Sequence, residues 1–167
     1  GHYVADTLTE MGVQGKVRFT KKYKTPLEVN VSDKTGARTY FWQRTPEMLA
    51  TLSTVASQLA DPASEGSEQP DYAKNEARAL KPEFLVLIGV CTHLGCAPSK
   101  KFDVGIASGL GEDWPGGFFC PCHGSKFDLA GRVYKDVPAP TNLEVPPHDY
   151  LSDTRIIIGV DKAQGAA

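Results

Sequence analysis

The chain has 167 residues, 41% hydrophobic and 9% aromatic, a size and content that suit one folded domain with a buried core. Its 18 basic and 20 acidic residues leave a formal charge of −2, which argues against a nucleic-acid partner, and no basic cluster offsets that balance. The longest apolar run, Phe84–Val90, falls far short of the roughly 18–20 residues a membrane helix requires, and no secretory leader pattern is present.

Strand-like segments dominate. Gly1-His2 reads as a tag remnant, and the first 25 residues carry no assignable role. Lys16–Thr20 and Leu27–Val31 alternate polar and apolar residues, as half-buried strands do. Ser32–Gly36 reads as a turn, and Arg38–Arg44 is rich in strand-forming residues. The period then changes: Thr45 is placed to cap a helix with Pro46 in its first turn. Met48, Leu49, Leu52, Val55, Ala56 and Leu59 recur at helical spacing, ending near Asp61-Pro62. Residues 61–83 are polar and loop-like, with one helical turn expected within 72–79. Phe84–Val90 is short and bounded by turn formers, which favours a buried strand over a helix. Gly105–Gly111 lacks the Lys-Ser/Thr and the following helix of a phosphate loop, so a flexible loop is expected there. Arg132–Lys135 and Arg155–Val160 read as strands joined by a proline-rich connection, with 161–167 as a tail. Twelve prolines and 16 glycines fit a mostly antiparallel β protein with one inserted helix.

Every cysteine falls in two short segments, Cys91-Thr-His93-Leu-Gly-Cys96 and Cys120-Pro-Cys122-His123-Gly-Ser125, together with two of the four histidines. Buried cysteines or two plain disulfides would leave the histidines unexplained. A Cys–His nucleophile needs one cysteine, not a duplicated arrangement. A structural zinc site is the serious competitor, but zinc usually pairs cysteine with cysteine two to four residues apart, whereas each segment here pairs cysteine with histidine. That mixed pairing suits a binuclear iron–sulfur cluster, with two thiolates on one iron and two imidazoles on the other. Exchanging two anionic thiolates for neutral imidazoles stabilises the reduced form. Potentials of such centres therefore lie at roughly −150 to +300 mV, against about −400 mV for plant-type ferredoxins.

Here the sequence becomes specific. The segments "CTHLGC" and "CPCHGS", together with "RTPEML", "KPEFLVLIGVCTHLGC", "CPCHGSKFDLAGRVYK" and "PAPTNLEVPP", resemble the Rieske iron–sulfur proteins of cytochrome bc complexes, over about residues 37–160. The resemblance implies a mainly β, Rieske-type antiparallel sandwich (the base fold) over 26–160, with an inserted helix-loop and a cluster-binding subdomain at about 90–140. It implies one [2Fe-2S] cluster, with Cys91 and Cys120 on the inner iron and His93 and His123 on the outer. Cys96 and Cys122 match a loop-tying disulfide, which implies an oxidising compartment. Ser125 matches a donor to a bridging sulfide, Leu94 an apolar tip contact, and Pro138-Ala139-Pro140 a loop covering the cluster, with Gly95 and Gly124 in the cluster loops. Val137 stands where the family carries glycine. Phe127 stands where high-potential members carry a tyrosine, so the hydroxyl donor is missing and a lower potential is expected; some menaquinol-linked members also lack it.

The resemblance further implies quinol oxidation with a proton taken at His123, a cytochrome b subunit and a c-type cytochrome as partners in a dimeric complex, and the periplasmic side of a bacterial inner membrane. In that family a membrane helix and hinge precede the head, so the chain is expected to be that head. The Rieske subunit of arsenite oxidase, a dioxygenase-type ferredoxin and a structural zinc module are the alternatives. The long insertion between the loops and the pair Cys96 and Cys122 stand against the ferredoxin. His148 reads as a surface histidine, and Trp42 and Trp114 as core or loop anchors.

Overall fold

The computed structural model describes residues 39–152 and 155–162, and the backbone of the strands Val4–Ala5, Gly15–Phe19 and Leu27–Val31. The tag remnant, the turn at Ser32–Gly36 and the tail beyond 162 lie outside the described residues. In chain order the strands are β1 (Val4–Ala5), β2 (Gly15–Phe19), β3 (Leu27–Val31), β4 (Thr39–Gln43), β5 (Phe84–Ile88), β6 (Ser99–Lys101), β7 (Gly117–Phe119), β8 (Lys126–Phe127), β9 (His148–Ser152) and β10 (Arg155–Ile158). One α-helix, α1 (Pro46–Thr54), lies between β4 and β5.

The described strands form three sheets, in the orders β1-β4-β5, β2-β3-β10-β9 and β6-β7-β8. All pairs are antiparallel except β3 with β10, where Glu28–Val31 run alongside Arg155–Ile158 in parallel. The sheet containing β4 and β5 is central. Tyr40 and Trp42 of β4 and Leu85 and Leu87 of β5 share a buried cluster with Phe118 of β7 and Phe127 of β8. The alternate side chains face the other way, where Phe41 stacks on Phe84 at 5.7 Å and Phe84 reaches Tyr150 of β9 at 6.1 Å. Both faces of β5 are therefore covered, which is why its sequence is an unbroken apolar run. Each such buried side chain contributes on the order of 2 kcal/mol.

The helix starts as its sequence dictates. Thr45 Oγ1 accepts from the Met48 amide at 3.2 Å, and Pro46 occupies the first turn, where no amide donor is needed. It ends sooner than its periodicity suggests, at Thr54, and continues as a 3-10 turn over Ala56–Gln58. Thr51 and Thr54 donate side-chain hydroxyls back to the carbonyls of Met48 and Thr51. Leu59 and Ala60 are drawn away to bridge Tyr134 and Val133. Local hydroxyl bonding and tertiary pairing tighten the last turn together.

Three further expectations need correction. Arg132–Lys135 is not a strand: its amides go separately to Asp128, Asn142, Lys126 and Gln58, leaving only isolated bridges at Val133 and Tyr134. Gly105–Gly111 is a closed structure, with a 3-10 turn at Gly105–Ser108 held by Gly105 N–H to Trp114 O at 2.8 Å. His148 is not on the surface: it is fully buried at the start of β9, a strand the sequence patterning missed. The expected turn within 72–79 is a 3-10 turn at Asp71–Ala73. Trp42 and Trp114 are buried anchors as expected, and the Trp114 indole donates to Lys101 O.

Candidate metal centre

β5 delivers the first cysteine loop and β7 the second. Each then turns by the same backbone scheme. In the first, Cys91 N–H donates to Cys96 O at 2.7 Å and Gly95 N–H to Cys91 O at 2.9 Å. In the second, Cys120 N–H donates to Ser125 O at 2.8 Å and Gly124 N–H to Cys120 O at 2.9 Å. The fifth residue of each loop has positive φ, +86° at Gly95 and +83° at Gly124, so both glycines are conformational requirements. The two loops are thus one hairpin design used twice, with the chemical residues offset: His93 is third in its loop, while His123 is fourth.

Cys96 and Cys122 form a disulfide that joins the loops, with Cα atoms 6.6 Å apart. Cys91 and Cys120 remain free thiols, each 2% exposed. Burial raises the Cys91 thiol above its ordinary range, opposed by the His93 amide, reinforced by the adjacent Cys120 thiol, and opposed again by the Ser125 hydroxyl. A metal ion would displace that proton and bind the thiolate. The Cys120 sulfur also lies within 4.8 Å of both disulfide sulfurs. The His93 and His123 rings meet edge to face, with centroids 4.7 Å apart and planes at 89°. His123 and Leu94 are exposed, Leu94 by 71%, while His93 is half-buried.

The surroundings fit a cluster. His93 Nδ1 is buried with no hydrogen-bond partner, a costly arrangement for a ring nitrogen unless it binds something. Ser125 Oγ, fully buried, accepts from the Ala139 amide at 2.9 Å, which leaves its own proton for a sulfur. Phe127, also fully buried, shares a cluster with Cys91 and Cys120. Pro138 is exposed at the loop expected to cover the site, and that loop is pinned to both cysteine loops: Ala139 to Ser125, and Thr92 Oγ1 to Thr141 O at 2.7 Å. Sequence reasoning missed Thr92 and Thr141. Their pairing depends on a carbonyl 49 residues away, which no local pattern reveals.

Two hairpins that carry two buried free thiols and two neighbouring imidazoles make a candidate histidine-and-cysteine metal centre. The Rieske [2Fe-2S] domain family matches residues 72–147. The ubiquinol-cytochrome c reductase iron-sulfur subunit of Allochromatium vinosum is 58% identical over 127 residues, covering 76% of this chain and 61% of that protein. The subunit of the same name from Rhodospirillum rubrum is 39% identical, covering 81% of this chain and 70% of that one. The mitochondrial Rieske subunit of the cytochrome b-c1 complex from Bos taurus is 40% identical, covering 80% of this chain and 45% of that one. A solved structure, the plasma membrane Rieske protein PetC3 from Synechocystis PCC 6803, is matched over 93% of this chain and 97% of that one at 17% identity and a TM-score of 0.36. The chain belongs to the Rieske iron–sulfur family, whose domain binds one [2Fe-2S] cluster. It spans about 61% of the Allochromatium subunit and less than half of the bovine one. Among the described residues, no helix is long and apolar enough to cross a membrane.

Proposed function

We propose that this domain is the electron-carrying head of a quinol–cytochrome c reductase, working with a cytochrome b subunit and a c-type cytochrome on the periplasmic side of a bacterial inner membrane. In this reading Cys91 and Cys120 hold one iron, and His93 and His123 hold the other through Nδ1. The observation that carries it is the edge-to-face pair of imidazoles on the two loops that hold the free, buried thiols, with His93 Nδ1 unsatisfied. When bound, the cluster takes up and releases one electron.

The chain's own residues supply the rest. His123 stands exposed at the tip, so its Nε2 accepts a hydrogen bond from the quinol hydroxyl and then the proton. Leu94 offers an apolar contact beside it for the cytochrome b pocket. The Pro138–Pro140 loop, tied down at Ala139 and Thr141, excludes water from the sulfur side, where low dielectric strengthens the Ser125 donor. The disulfide holds both loops in one geometry.

Analysis of iron and acid-labile sulfide should give two of each per chain, as a [2Fe-2S] centre requires. The midpoint potential should fall as pH rises, because reduction carries a proton with it. Zinc in place of iron, or a potential indifferent to pH, would overturn the proposal.

A further inference from the structure

Three guanidinium groups lie inside the described part of the domain. Arg44, Arg78 and Arg132 are 2%, 0% and 1% exposed, and one aspartate, Asp128, is buried among them at 1%. Asp128 is committed to Arg132, whose Nη2 and Nε approach it at 2.8 Å. The other two cations meet neutral oxygens: Arg44 donates to the carbonyls of Pro82, Leu129 and Ala77, and Arg78 to the carbonyls of Ala130, Leu143 and Glu68 and to Gln69 Oε1. Carbonyls satisfy donors but cancel no charge. Burial lowers Arg44 and Arg78 to about 10, which leaves both protonated at neutral pH. Two other carboxylates face them. Asp61 spends its oxygens on Glu65 N–H, Gly66 N–H and Ser67 Oγ, and Glu83 is exposed to solvent. Three buried guanidiniums thus share one fully buried carboxylate, Asp128, while the opposing charges of half-buried Asp61 and exposed Glu83 lie nearer solvent, where they are better screened.

Arg78 and Asp128 are linked to the metal centre through shared packing. Asp128 follows Phe127, and Leu143, whose carbonyl Arg78 holds, sits in the same buried cluster as Phe127, Cys91 and Cys120. Asp128 is three residues beyond Ser125, so their Cα atoms are no more than about 11 Å apart. Charges buried in protein rather than facing water are screened little by salt.

We propose that Arg44 and Arg78, opposed by Asp128, are positioning residues that raise the reduction potential of the centre by stabilising the electron-richer, reduced form through the field alone. This rests on the cluster reading of the site but adds charges that touch neither the cluster nor a substrate. It also offsets the donor lost at Phe127.

The test is a redox titration, followed by visible circular dichroism, of Arg44→Met, Arg78→Met, Arg44→Lys and Asp128→Asn. The Asp128→Asn side chain keeps an oxygen for the Ala130 and Arg132 amides. Each Arg→Met change should lower the equilibrium constant for reduction several-fold to about tenfold, where tenfold is 59 mV for one electron. Asp128→Asn should raise it, Arg44→Lys should stay within about twofold of wild type, and the shifts should persist at high salt. Loosened packing would move all variants the same way. Shifts of one sign, no shifts, or shifts abolished by salt would overturn the proposal. If Arg78→Met does not fold, the opposed pair Arg44→Met and Asp128→Asn still decides it. Iron and sulfide content of the wild type reads the site assignment separately, so a failed site and a failed charge effect are distinguishable.

Discussion

Phe127 is fully buried against the same cluster that holds Cys91 and Cys120, and its ring ends in carbon where a phenol would carry a donor. A hydrogen bond to a charged acceptor contributes about 1.5–3 kcal/mol, and 59 mV corresponds to about 1.4 kcal/mol for one electron. Phe127→Tyr should therefore raise the midpoint potential by tens of millivolts. A titration with no upward shift would remove Phe127 from the determinants of potential. Gly124 makes a second residue-scale case. Its φ of +83° places any side chain in the left-handed region, which costs roughly 1–2 kcal/mol. Gly124→Ala should lower the melting temperature and the iron content together, as measured by calorimetry and metal analysis on one preparation.

The two cysteine loops are held together by the Cys96–Cys122 disulfide, which closes 26 residues of chain. The entropy such a closure removes from the unfolded state is equivalent to about 3–4 kcal/mol. Cys96→Ser with Cys122→Ser should lose about that much stability by denaturant titration. A loss below 1 kcal/mol would mean the hydrogen bonds of each loop suffice. These loops were the most legible part of the sequence, because paired thiol and imidazole spacing restricts the chemistry to few choices. The helix was legible at its start, where Thr45 and Pro46 act locally, and illegible at its end, where Leu59 and Ala60 obey Tyr134 and Val133 more than 70 residues away. Arg132–Lys135 was misread for the same reason. Its β-like residues are claimed by four separate partners rather than one neighbouring strand.

For the molecule as a whole, the least legible residue was His148. Nothing in Pro146-Pro147-His148-Asp149 signals that the ring is enclosed by Tyr72, in edge contact at 5.5 Å, with Nδ1 held 2.9 Å from Pro146 O. Tyr72 in turn donates to Asp161 and accepts the His148 amide, so this one histidine joins β9, the Asp71–Ala73 turn and the segment after β10. Burial lowers its pKa, despite opposing contributions from the Pro146 carbonyl, Asp149 and Asp161. The unfolded chain binds the proton more readily than the fold does. His148 therefore contributes stability that is present above about pH 6.5 and is lost as pH falls below it, by up to about 1.4 kcal/mol per unit. Thermal unfolding at pH 7.5 and 5.5 should show the loss, and His148→Gln should flatten it. A variant as acid-sensitive as wild type would place the titration elsewhere.

The repeated hairpin has a consequence for how this molecule meets others. Backbone and glycine positions make the two loops near copies, and a symmetric mount would let a visitor approach two ways round. The offset of one residue removes that ambiguity. At the fourth position one hairpin carries Leu94 and the other His123, both exposed. In the proposed docking, a partner would have to match an oily half and an imidazole half at once, as a keyed plug that seats in a single orientation.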